Sequence, residues 1–425
     1  MKRRRKRSWK ISQATLLLAI VALIAAGYLI WRYPEQVGQV LDRLAAEATS
    51  VSIPPPPIPA DPTAALLPAT PAPAAPAPRA TLPPAAPPPV AEPGDSTALH
   101  RYKGEWYQLY FTNPSYPDAP ENHVGGIDVH LAALLDTARQ SIDLAAYDFD
   151  LENVANALAS AAGRGVRVRM VTDTDTLTSA NPEVQRAIGI VQAAGIPIVD
   201  DQRPAIMHDK FVVVDGVVVW TGSWNLTVGD TYRLNNNAIR IVSPELARNY
   251  TLEFEQMFAQ RRFGPSKQAS LDDPVLTIGG ARVENYFAPE DQVEQKIIGR
   301  IEQARVSIHF LAFSFTSDTI GKAMREREKA GVQIAGVFET TGSETLFSEY
   351  GKFHKLKLDV LQDGNPYAMH HKVIIIDSTT VIFGSYNFSN NADRDNDENL
   401  LIVDDPALAQ AFEAEFQRVH AQARR

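Results

Sequence analysis

Residues 207–225 read MHDKFVVVDGVVVWTGSWN, and residues 369–387 read MHHKVIIIDSTTVIFGSYN, 162 positions later. Each copy spells H-x-K-x4-D-x6-G-S-x-N: first His208, Lys210, Asp215, Gly222, Ser223 and Asn225, then His370, Lys372, Asp377, Gly384, Ser385 and Asn387. Six specified positions repeated in one order are a far stronger signal than a lone glycine-rich loop. Residues 211–214 and 217–220 are apolar and mostly β-branched, and Asp215-Gly216 between them is a two-residue hairpin signal. Paired positions would then sum to 431, with Ser223 opposite His208 and Thr221 opposite Lys210. Alternation along a strand puts these four on one face. The same register in the second copy, summing to 755, sets Ser385 opposite His370, although Asp377-Ser378-Thr379 is a weaker turn. His, Lys and Ser converge at the open end of each hairpin, with Asn just beyond. Strands apolar on both faces belong inside a sheet covered on both sides.

The repetition extends outward. SIDLAAYDF at 141–149 is echoed by SIHFLAFSF at 307–315, an offset of 166 that Gly165-Val166 and Gly331-Val332 keep. Pro244 and Pro406, each opening a helix, keep the 162. The first copy predicts helices over 127–140, 154–162 and 182–194, and strands over 141–149, 166–172 and 196–199. Strands alternating with helices imply a layered α/β fold. The duplication divides it into halves at 100–265 and 266–425, with the boundary in the polar, Gly/Pro-containing stretch at 263–281.

The first hundred residues are of another kind. Of the 30 prolines, 17 lie between positions 54 and 93, so the 425-residue chain is not one globular unit from end to end. Residues 34–99 carry too few large apolar side chains to fold and read as an extended stalk. Before it, residues 14–30 hold no charge and no proline, follow seven Lys/Arg within residues 1–10, and are flanked by Trp9, Tyr28, Trp31 and Tyr33. This predicts a membrane anchor at 11–31, in a segment 1–33 with a cytoplasmic N-terminus and the remainder outside. A cleaved signal peptide and a secreted product are the alternative. Beyond residue 10 the chain has 34 basic against 50 acidic residues, a balance of −16, which is not that of a nucleic-acid polycation. Without cysteine there is no disulfide framework and no thiol nucleophile.

An imidazole, an ammonium, a hydroxyl and an amide together suit a phosphoryl group. Lysine supplies charge, Ser and Asn supply donors, and histidine attacks or moves a proton. Two such half-sites give a nucleophile and a separate acid, with no cofactor and no metal required, and no H-E-x-x-H or acidic ligand run is present. Over about residues 106–420 the chain resembles the phospholipase D superfamily, whose members carry this doubled HKD motif. The resemblance implies tandem α/β/α sandwiches with mixed sheets, related by a pseudo-twofold and sharing one active site in a single chain. It implies that His208 attacks phosphorus and His370 protonates the leaving alcohol and then activates water. Lys210, Lys372, Asn225 and Asn387 would bind phosphate oxygens, supported by Ser223 and Ser385, while Asp215, Asp377, Gly222 and Gly384 would be structural. The family often has a carboxylate 28 residues after each motif His, orienting the His of the opposite half. Glu398 fits that place in the second copy, but the first has Asn236. Glu398 would then hold His208, and His370 would rest on a neutral amide.

Other candidates are weaker. His371 faces away from the site by alternation, and His309 sits in a buried-strand pattern. Trp220, Trp224, Tyr367, Met369, Tyr386 and Phe388 crowd the motifs as core or as pocket lining. The expected activity is metal-independent hydrolysis of phospholipid head groups. A nuclease of the same superfamily and a non-catalytic binding module on a stalk are the alternatives.

Overall fold

Apolar strands separated by amphipathic helices form two mixed sheets in the computed structural model, which describes residues 90, 91 and 98–425. The expected anchor and nearly all of the expected stalk lie outside the described residues. Among the described residues no helix is long and apolar enough to cross a membrane. One sheet has nine strands in the order Val90–Ala91, Leu99–Lys103, Tyr107–Thr112, Asn237–Val242, Val218–Gly222, Lys210–Val214, Ser141–Ala146, Arg167–Thr172 and Ile198–Asp200. The other has eight: Val275–Ile278, Ala281–Ala288, Glu398–Asp404, Thr380–Gly384, Lys372–Ile376, Ser307–Ala312, Gln333–Phe338 and Asp359–Gln362. The last three strands of each order run parallel and the other neighbours antiparallel. The motif strands are central in both, as their two-sided apolarity requires.

The two sandwiches share their middle layer. Helices Pro244–Phe258 and Pro406–Ala423 contribute Tyr250, Phe254, Phe412 and Phe416 to one core that also takes Phe211 and Val213 from the first sheet and Phe287, Val373 and Phe383 from the second. Phe412 meets Phe383 of its own half and Phe111 of the other at 4.9 and 5.1 Å. Two apolar sheet faces are thus buried at once by one helical layer. Two short bridges, Met207 with Asp397 and Asn235 with Met369, link the halves and exchange under the 162-residue offset, as a twofold relation demands.

The hairpins differ from expectation by one residue. Val214 pairs with Val218 and Phe211 with Thr221, so positions sum to 432; Val373 with Phe383 gives 756 in the second copy. The turn itself is tight: Asp215 and Gly216 have φ of 53° and 64°, and Val217 N–H donates to the Val214 carbonyl at 3.0 Å. Val217 then gives its own carbonyl to Ser243 N–H at 2.9 Å and stands as an extra, bulged residue in the return strand. A one-residue shift moves every return-strand side chain to the other face. Thr221 therefore shares the face of Phe211, not of Lys210, and its hydroxyl donates to the Lys210 carbonyl at 2.9 Å. The chain turns back at Gly222, where Ser223 and Trp224 N–H both donate to the Asn237 carbonyl. A Cβ on Gly222 would lie 2.3 Å from that oxygen, and one on Gly384 would lie 2.2 Å from the Asn399 oxygen, so both motif glycines serve a close backbone approach.

Asp215 and Asp377 brace the turns. Asp215 accepts from the backbone of Arg139, Gln140 and Ser141, and Asp377 from Arg305, Val306 and Ser307. Behind the first motif lies a buried charge cluster. The Lys267 ammonium donates to Glu253 and to the Ala288 carbonyl, with Asp397 at 3.2 Å and Glu290 at 3.3 Å. Burial, only partly opposed by Lys267, pushes the neighbouring Asp209 well above the usual carboxylate range. Removing the only lysine of this cluster leaves buried carboxylates facing one another. Lys267→Met is expected to cost about 3–5 kcal/mol, read as a lower urea midpoint, whereas a shift under 1 kcal/mol would mean the cluster is already neutral.

Candidate active site

Each motif histidine is pinned to the opposite half. His208 N–H donates to the Asp397 carbonyl, and His370 N–H to the Asn235 carbonyl, both at 2.9 Å. The side chains cross in the same way. His208 Nδ1 lies 2.7 Å from Glu398 Oε2, and His370 Nδ1 lies 2.9 Å from Asn236 Oδ1. The two positions 28 residues beyond the motif histidines thus face the His of the other half. Both imidazoles and both motif lysines are buried. Lys210 and Lys372 each donate to the carbonyl of their own motif histidine at 2.9 Å.

The serines lie behind the histidines, in a supporting place. Ser223 Oγ donates to Asn236 Oδ1 at 2.9 Å, and Ser385 Oγ to Glu398 Oε2 at 2.7 Å; both are fully buried. Their part in the site is to hold the residues that hold the histidines. Asn225 Nδ2 donates to Asp230 at 3.2 Å, which leaves its second amide hydrogen for a ligand. Asn387 is partly exposed at the end of the second hairpin.

Three residues here escaped the sequence reading. Tyr147 packs edge-on to His208 at 5.0 Å and under the Lys210 ammonium at 5.1 Å. Phe313 packs edge-on to His370 at 4.5 Å and under the Lys372 ammonium at 4.6 Å. Both occupy the seventh place of the echoed strands at 141–149 and 307–315, so the repeat held the signal. The third is Asp230, whose Oδ1 lies 3.2 Å from His370 Nδ1. It has no repeat counterpart, since position 392 is alanine, and His370 does not rest on an amide alone. His371 bonds Asn237 and Glu415 away from the site, and His309 bonds Glu413. Of the aromatics and Met near the motifs, only Tyr367 is exposed.

Burial governs the titration of these groups. It lowers Lys210 to about 8 and, joined by the ammonium of Lys210, holds Lys372 well below the usual lysine value. Burial and then the two ammonium groups hold His208 well below the usual imidazole value. Burial lifts Glu398 to about 7 against the pull of Lys210 and the bonds from Ser385 and Asn396. A neutral His208 with its Nδ1 hydrogen on Glu398 has its Nε2 lone pair for attack. Two ammonium groups beside it favour a phosphate, and an arriving phosphate anion raises the proton affinity of the second imidazole.

Comparison with known proteins bears on these residues. Residues 131–258 and 297–420 match the family described as cardiolipin synthase, PLD-like domain. The mitochondrial cardiolipin hydrolase of Xenopus tropicalis is 34% identical over 141 residues, 33% of this chain and 65% of that protein, so the chain spans just under two thirds of that relative's length. A phospholipase D of Rickettsia prowazekii (strain Madrid E) is 32% identical over 162 residues, 38% of this chain and 79% of the relative. The crystal structure of phosphatidylserine synthase from Haemophilus influenzae Rd KW20 covers 76% of this chain and 87% of its own at a TM-score of 0.54 and 14% identity, a likeness of fold.

Proposed function

The chain belongs to the PLD-like domain family described as cardiolipin synthase, and from that premise we propose that it is a phosphodiester hydrolase that cleaves phospholipid head groups through a phosphohistidine. The observation that carries the reading is the crossed pairing, His208 on Glu398 and His370 on Asn236, which builds one site from two half-motifs. In the first step a bond forms from His208 Nε2 to phosphorus as the bond to the head-group oxygen breaks. His370 gives its proton to that oxygen. His370 then takes a proton from water, whose oxygen attacks phosphorus and releases His208. Lys210, Lys372, Asn225 and Asn387 hold the charge that develops on the phosphoryl oxygens.

Lipid is favoured over nucleic acid by the absence of a basic run near either motif and by the −16 balance beyond residue 10. The names of the hydrolases it resembles point the same way. In this reading residues 11–31 anchor the chain with its catalytic part extracytoplasmic, the linker is the part of 34–99 before the strand Val90–Ala91, which pairs into the first sheet, and halves 100–265 and 266–425 act together as a monomer.

The test presents phosphatidylcholine, cardiolipin and single-stranded DNA side by side to the full chain, with and without EDTA. Head-group release from a lipid that persists under chelation is expected. Preferential cleavage of DNA would move the assignment to a nuclease. No cleavage of any diester would leave a binding module.

A further inference from the structure

Under the 162-residue offset that relates the halves, Asn236 corresponds to Glu398 and Asp230 to Ala392. Each half therefore carries one carboxylate near the opposite histidine, but at places six residues apart. The structure shows how the first half reaches with its own. Asp230 lies on the short helix Val228–Tyr232, capped by the Thr227 side chain. Its Oδ1 is 3.2 Å from the same His370 nitrogen that Asn236 Oδ1 approaches at 2.9 Å. Asn236 Nδ2 donates to Asp230 Oδ1 at 3.0 Å and to its carbonyl at 3.1 Å, so amide and carboxylate form one unit. Asn225 N–H and the Thr227 hydroxyl donate to the same carboxylate at 3.2 and 3.0 Å. Nothing in this set is exposed.

We propose that Asp230 is the positioning carboxylate of His370, displaced by six residues from the place Glu398 occupies in the other half, and that it keeps His370 able to carry the proton to the leaving group. The inference rests on the diesterase reading above. An amide oxygen fixes which ring nitrogen bears hydrogen but adds little to the stability of a charged ring; a carboxylate does both. The groups facing His370 are Asn236 and Asp230 from the first half, Lys210 across the site, Lys372 on its own strand, and the Phe313 ring. Burial and then Lys372 bring His370 down to about 3, and among these groups Asp230 pulls the other way. Burial works against ionised Asp230 too, but the charge of His370 and its hydrogen bond, with the donors from Asn225 and Thr227, bring it down to about 2. Asp230 is therefore held as a carboxylate while His370 carries its proton, the state the first step needs. Without it, His370 would lose its proton at lower pH, and a step needing the protonated ring would fail earlier as pH rises.

The experiment compares single-turnover release of an alkyl alcohol and of p-nitrophenolate from matched diesters, across pH, in the full chain. In Asp230→Asn, alkyl-alcohol release should fall on the order of 10²-fold at neutral pH, with its decline on the basic side moved to lower pH. The p-nitrophenolate burst, whose leaving group needs no proton, should fall far less. The ratio of the two is read on the same folded molecules, so a loss of yield leaves it unchanged. Asp230→Ala combined with Asn236→Glu writes the second half's arrangement into the first and should recover most of the alkyl reaction that Asp230→Ala alone loses. Equal loss on both substrates with an unmoved pH profile, or no recovery in the double variant, would overturn the proposal. A wild-type chain releasing neither alcohol would overturn the diesterase reading itself, and this inference with it.

Discussion

Replacing His208 with alanine is expected to lower diester cleavage by on the order of 10⁴-fold or more and to abolish any covalent phosphoryl adduct. The expectation follows from how the site is tied together. His208 has its backbone on Asp397 and its Nδ1 on Glu398, so the ring is fixed from the opposite half and Nε2 is the nitrogen that the proposed reaction would use. Ser385 and Asn396 both donate to Glu398, which keeps the carboxylate from turning away. Tyr147 closes the ring from the side. With alanine the two lysines remain to bind phosphate, so substrate affinity should survive while turnover is lost. That split separates loss of the nucleophile from loss of the fold. A His208→Ala chain that keeps more than about a tenth of wild-type kcat would remove this residue from the chemistry.

His370→Asn should give the second largest effect and a different signature. Loss of the proton carrier is expected to slow cleavage of an alkyl diester roughly 10³-fold, the usual scale for a general acid. With a p-nitrophenyl diester the first step needs no acid, so a burst of p-nitrophenolate should still appear. Turnover should then stop, because nothing activates water, and the adduct on His208 should accumulate. Quenched samples taken after the burst measure this directly. Steady turnover without a burst would mean that His370 does not act in the second step.

Much of the site was legible because it was written twice. The motif residues, the pairing of positions 28 residues downstream with the opposite histidines, and the bracing aspartates all follow from the repeat and the family it resembles. Where the halves diverge, the sequence became silent. Asp230 answers Ala392 and belongs to no repeated pattern, so only the folded chain brings it to His370. The register slip has another cause. Asp215-Gly216 does form the tight turn, but the bulge at Val217 depends on its bond to Ser243, two strands further along in sequence and invisible to a local rule. Thr221 was misplaced for that reason alone. The sequence marks Pro244 and Pro406 as helix starts but does not say which layer those helices fill, because that is decided only by both sheets needing the same cover. The three strands Leu99–Lys103, Tyr107–Thr112 and Ala281–Ala288 precede or join the repeats and extend both sheets beyond the motif pattern.

The central claim is that one histidine attacks phosphorus and that it is His208. The most direct measurement is peptide mass spectrometry of the wild-type reaction, quenched within the first turnover into alkaline denaturant, where a phosphohistidine persists. The account predicts a phosphoryl adduct on the peptide bearing His208 and none on the peptide bearing His370. An adduct on His370, or equal occupancy of both, would contradict it.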